Sequence, residues 1–240
     1  AEQVFLQTWR NSFSEHYIAS TPTITHQVKN QARLEDKGHY CAATIYFLGD
    51  WFVGVDRLFH FESALCQLGL ATSISDDFSE DAIATKDLAM TEMSHIKAAS
   101  TYNSTTQQLE VFLSLRSPYS YLGFVQAIAL AERYQIELVI KPVLPLLMRG
   151  ASIPIVKQKY IYLDALREAK KLGIEFNGFV DPLGAGVINV YRMFAYAQQQ
   201  GKANEYMLAC FRAVYVDDVD LADPENIKNI VNNLSDTRIL

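Results

Sequence analysis

The sequence predicts an α/β protein whose strands come in two separated pairs, with a long helical stretch after the second pair. Three observations predict it. A short hairpin pattern precedes an apolar-faced helix between residues 38 and 69. Two runs rich in branched residues, LEVFLSL and IELVIKPV, flank one helix-length segment. From about residue 154 onward apolar residues recur at helical spacing.

The totals limit the function classes. The chain has 240 residues, of which 50% are apolar and 20% charged. That is the composition of a globular protein able to bury a core. A net charge of −6 argues against nucleic acid and anionic membranes as partners, because phosphate contact needs clustered Lys and Arg. No apolar run reaches ~18 residues, so no membrane span is expected. The start, AEQVFLQTWRNSF, lacks a Met and reads as a cut end, and no signal-peptide pattern follows it. Cys41, Cys66 and Cys210 are widely spaced and odd in number. They form no CxxC and no disulfide framework, and read as free thiols of a cytoplasmic protein. His16, His26, His39, His60 and His95 show no metal spacing, so no metal is expected.

The elements follow in order. A helix is expected over roughly 27–37, closed by Gly38. Ala42–Phe47 and Trp51–Val53 read as hairpin strands around Leu48-Gly49-Asp50. Asp56 is the expected N-cap of the next helix, whose Leu58, Phe61, Ala64, Leu65 and Leu68 share one face. Residues 71–107, rich in Ser, Thr, Asp and Ala, read as a linker. Strand LEVFLSL is followed by Arg116 and then by Ser117-Pro118-Tyr119-Ser120. Ser117 fits an N-cap and Pro118 an N1 position, where proline's missing N–H costs nothing. The helix runs to about Tyr134 and IELVIKPV returns as a parallel strand, a β-α-β unit. Helices are expected over about 154–172, 187–200, 203–217 and 224–234. The domain reading is therefore 1–70 as a hairpin-helix half, 71–107 as a linker, and 108–240 as a βαβ half with a helical insertion.

Three segments together carry a family resemblance. They are Ser117-Pro118-Tyr119-Ser120 after a strand, the helix pattern Lys157, Tyr160, Asp164, Arg167 followed by Gly173, and the segment Trp51, Gly54, Asp56, Arg57, Leu58. Residues 109–235 resemble the branch of the thioredoxin superfamily that holds DsbA-type proteins, 2-hydroxychromene-2-carboxylate isomerase and kappa-class glutathione transferase. Residues 38–69 look like the closing segment of the same family. The resemblance implies a thioredoxin-like mixed sheet with an inserted α-helical domain. Here the halves run in tail-then-head order, as in a fragment of a tandem, a permuted chain, or chains that exchange halves.

The resemblance also implies a site. Ser117 would hold the sulfur of glutathione, with Ser120, Lys157, Asp56 and Arg57 around the tripeptide and Tyr119, Tyr160 and Met148 as a substrate wall. A hydroxyl at a helix N-terminus can donate to a thiolate, and the helix dipole stabilises that charge. Two serines where redox relatives carry CxxC leave no dithiol for exchange. The expected activity is a glutathione-dependent isomerase or transferase acting on a small aromatic or electrophilic substrate, in a homodimer. The chain departs from relatives at Ala42-Ala43-Thr44, which lacks their proline, at Arg116, and at the apolar run Leu144-Pro145-Leu146-Leu147-Met148. Those departures support the alternative, a redox-inactive DsbA-like binding module. Ser117 as a plain helix cap belongs to that alternative.

Overall fold

The structure is a computed structural model that describes residues 24–39, 41, 43–70 and 108–236. The linker expected over 71–107 lies outside them. Two compact units divide the chain, Ala1–Ala42 and Ala43–Leu240. In the first, helix α1 (Ile24–Asp36) is closed by Gly38, whose φ is 82° and whose N–H returns to the Glu35 carbonyl at 2.8 Å. Only a residue without a Cβ takes that turn cheaply.

In the second unit, β1 (Thr44–Phe47) and β2 (Asp50–Val53) pair antiparallel. Leu48 and Gly49 join them with φ of 49° and 96°, the doubly left-handed turn that matches strand twist. The next segment differs from expectation. Asp56 caps no α-helix; it lies in a 3-10 turn, Val55–Arg57, and α2 (Leu58–Gln67) starts at Arg57 without a side-chain cap. The Asp56 carboxylate faces Arg57 Nη1 instead, at 2.6 Å.

β3 (Gln108–Leu113), α3 (Pro118–Tyr134) and β4 (Glu137–Pro142) form the β-α-β unit, with Val111 opposite Ile140 in a parallel register. Gln108, Glu110 and Phe112 face outward while Leu113 is buried, the period of a strand with one covered face. Helix α3 has the expected boundaries. Ser117 stands at its N-cap with an extended backbone, and Pro118 opens it.

Among the described residues the hairpin and the parallel pair remain two separate two-stranded sheets. The α/β elements are present, and side chains rather than strand ladders tie the hairpin segment to the rest. Three of these contacts fall on α4 (Ile155–Leu172). Arg57 pairs with Asp164, the Arg167 guanidinium lies 4.9 Å from the Phe52 ring centre, and Lys171 lies 4.5 Å from that of Phe59.

Helices α5 (Ala185–Gln199), α6 (Ala203–Tyr215) and α7 (Pro224–Asp236) complete the unit. The core gathers Leu113 and Ile140 from the strands, Leu115 from the turn after β3, Tyr121 and Phe124 from α3, and Met207, Phe211 and Tyr215 from α6. Tyr121 and Tyr215 stack with centroids 5.4 Å apart. Each such side chain contributes on the order of 1.5–3 kcal/mol by leaving water. Their hydroxyls reach backbone carbonyls of Glu175 and Leu115, so neither phenol goes unpaired.

Candidate functional site

A cavity of about 500 Å³ lies at the N-terminal end of α3. Ser114, Ser117 and Ser120 form its polar end, and Val143, Leu144, Pro145 and Leu146 form an apolar wall. Both sides hang from the ends of adjacent strands. One phenol fixes them together: the Tyr191 hydroxyl accepts from the Leu115 N–H at 3.1 Å and donates to the Val143 carbonyl at 2.9 Å. Tyr191 comes from α5, in the stretch 187–200 that the sequence marks only as a helix.

The serines are locally engaged. Ser117 Oγ accepts from the Ser120 N–H at 3.3 Å, and Ser120 Oγ accepts from the Ser114 N–H at 3.2 Å. The Ser117 hydroxyl keeps its proton available to donate. Ser117 is half-buried and lines the cavity, so it is not sealed in packed side chains.

Of the sequence-predicted set, Ser117, Tyr119 and Ser120 line the cavity. Asp56, Arg57, Met148, Lys157 and Tyr160 do not. Met148 packs against the core. Arg57 is taken up by Asp164, which it grips with Nε at 2.9 Å and Nη2 at 2.9 Å. Asp164 is 1% exposed. Tyr160, Asp164 and Arg167 of the helix pattern therefore belong to a hub around one buried carboxylate. It is buried because Tyr119, at 2.6 Å, and Tyr160, at 3.2 Å, also donate to this carboxylate, and Arg167 Nη2 lies 3.4 Å away.

Burial alone would raise the Asp164 carboxyl. Hydrogen bonds from Arg57 and Tyr119, with the charges of Arg57 and Arg167, outweigh it and hold the group below its ordinary 3.8. Burial first, and the bond to Asp164 second, push the Tyr119 phenol well above its ordinary 10.0. Tyr119 is thus a neutral wall residue held in place by its tip.

Arg116, one of the departures from relatives, is already matched. It makes a two-pronged pair with Asp181 at 2.8 Å and lies 5.9 Å from the Phe179 ring centre. Arg149 and Lys159, which sequence reading passed over, are exposed residues that line the cavity. Neither has an ion-pair partner among the described residues. A lysine two positions after the one singled out on α4 gave no local signal, because only the helix rotation decides which one faces the cavity.

Among the described residues there is no cluster of His, Cys, Asp and Glu able to hold a metal ion, and no helix long and apolar enough to cross a membrane. Cys210 is fully buried, and burial pushes its thiol up to about 12. That disfavours it as a redox nucleophile.

The family model of the DSBA-like thioredoxin domain matches residues 108–235. No curated protein matches the chain. A solved structure of 2-hydroxychromene-2-carboxylate isomerase is similar over 54% of this chain, at 22% identity and a TM-score of 0.45. The similarity covers 66% of that protein, just under two thirds of its length. The family match spans more than half of the chain and contains the whole β-α-β unit, the serine-capped helix and the helices behind it. The chain belongs to the DSBA-like thioredoxin domain family.

Proposed function

We propose that the protein binds glutathione and acts as an isomerase or transferase of the 2-hydroxychromene-2-carboxylate isomerase kind, on a small aromatic or electrophilic compound. One observation carries the reading. The Ser117 hydroxyl stands at the N-cap of α3, keeps a proton to donate, and borders a cavity of about 500 Å³. A thiolate placed there would receive the Ser117 hydrogen bond and that of the Tyr119 N–H, which has no partner among the described residues. The helix dipole adds to both. Ser117 orients the sulfur for attack on the substrate, and the apolar wall receives the substrate's body. A homodimer in the cytoplasm belongs to the same reading.

Isothermal titration with glutathione tests it. Wild type is expected to give saturable heat that Ser117→Ala weakens by about tenfold. No heat up to ~10 mM, a binding free energy weaker than about −3 kcal/mol, rejects it.

A second reading, a redox-inactive binding module, is favoured by a specific feature. Among the described residues no Asp or Glu lines the cavity, so the ammonium group of glutathione would meet no carboxylate there. Binding without turnover on any electrophile would select this reading.

A further inference from the structure

The charges around the cavity are one-sided. Its lining carries Arg116, Arg149 and Lys159 and, among the described residues, no carboxylate. Asp181 neutralises Arg116. Two exposed cations have no ion-pair partner among the described residues, in a protein whose net charge is −6. A local field of that sign attracts a negative ligand against the charge of the whole molecule.

Beyond the serine end the lining is mainly apolar, and the cavity is too large for a small acid. Val143, Leu144, Leu146, Ile153 and Ile161 supply aliphatic surface, with Phe112 at 65% exposure beside them. A soluble protein seldom presents such groups together around a concavity without a ligand to cover them. At ~30 Å³ for each water-sized group, the cavity holds roughly seventeen such groups. That is the size of a medium-chain acid; a benzoate fills little more than half of it.

We propose that this cavity binds a monoanion with a long apolar body, of the class of medium-chain alkyl carboxylates, with Arg149 and Lys159 meeting the anionic head and the Leu144–Leu146 wall covering the chain. Both cations are exposed and can reach the head without giving up another bond, and a charge-assisted hydrogen bond from Arg149 is the stronger anchor. The proposal rests on the cavity and not on glutathione. It adds a ligand class for the same space.

Calorimetric titration of the full chain with laurate, kept below its micelle concentration, tests it. Wild type is expected to bind laurate saturably. Dodecanol and dodecyltrimethylammonium should bind at least tenfold more weakly, as should benzoate. The double variant Arg149→Glu/Lys159→Glu changes only exposed positions, and circular dichroism verifies its fold. It should weaken laurate at least tenfold and leave dodecanol unchanged. A second variant, Leu146→Asp, should weaken laurate and dodecanol alike. Absence of laurate heat overturns the proposal. So does equal affinity for dodecanol, which removes the anionic head, or for benzoate, which removes the long body. Laurate binding that survives in the folded double variant also overturns it. Glutathione titrated separately keeps the two readings apart: laurate without glutathione sinks only the enzymatic one, and glutathione without laurate sinks only this one.

Discussion

The Tyr119 hydroxyl lies 2.6 Å from Asp164 Oδ2, and the same carboxylate is gripped by Arg57, 107 residues away in sequence from Asp164. A residue of the cavity wall and a residue of the 3-10 turn after the hairpin thus share one acceptor. Removing either donor leaves a buried charge with less compensation. Tyr119→Phe is expected to cost ~1.5–3 kcal/mol, the range for a hydrogen bond to an ionised group. Arg57→Ala is expected to cost ~3–5 kcal/mol, because the carboxylate loses its principal cation. Urea denaturation of the two variants and their combination measures both values. Because the two donors meet at one carboxylate, the double variant should depart from additivity by ~0.5 kcal/mol or more.

The same carboxylate sets an acid limit. Asp164 titrates below its ordinary 3.8 in the folded chain, so the unfolded chain binds the proton first as pH falls. The stabilisation is fully present above 3.8 and is lost as pH drops through that value toward the lower folded one. Thermal melts at stepped pH check this. The gap in Tm between wild type and Asp164→Asn should be wide near neutrality and should narrow below pH 3.8. A gap that stays constant down to the acid-unfolded state would contradict the assignment.

Tyr191→Phe removes one oxygen that joins both sides of the cavity. The Leu115 N–H and the Val143 carbonyl would lose that partner, at ~1–3 kcal/mol for buried polar groups left unpaired. The expected signature is a stability loss together with weaker ligand binding. Loss of stability with ligand affinity intact would show that the strand ends hold their places unaided.

Cys210 has no exposure and a thiol pushed up to about 12. It is expected to resist a thiol reagent in the native protein and to react once denaturant is added. Peptide mapping after labelling with and without denaturant decides. Rapid native labelling of Cys210 would mean that α6 opens locally, with a free energy well below that of global unfolding.

The β-α-β unit was legible because its signals are local. Ser117 and Pro118 mark the start of α3 within two adjacent positions, and the alternation along β3 shows which face is covered. The Asp164 hub was not legible as a hub, because Arg57 and Tyr119 reach it across the chain. One clue was present: Asp164 sits on α4 beside Ala165 and one helical turn from Ile161, an acid on an apolar stripe. An acid there needs buried donors or it would not be tolerated. The capping role given to Asp56 failed for a related reason. Its carboxylate satisfies Arg57, and the 3-10 turn takes the place of a capped start. The lysine facing the cavity was missed because neighbouring positions on one helix look alike until its rotation is known.

The tie through Tyr191 has a consequence for how such a chain can change. The serine-bearing end follows β3 and the aliphatic wall follows β4, and one phenol oxygen holds them in register. Substitutions between Leu144 and Leu146 can therefore remodel what the pocket accepts while the hydroxyl opposite stays where it is. Descendants of this sequence could swap one cargo for another without rebuilding the part that meets its reactive atom.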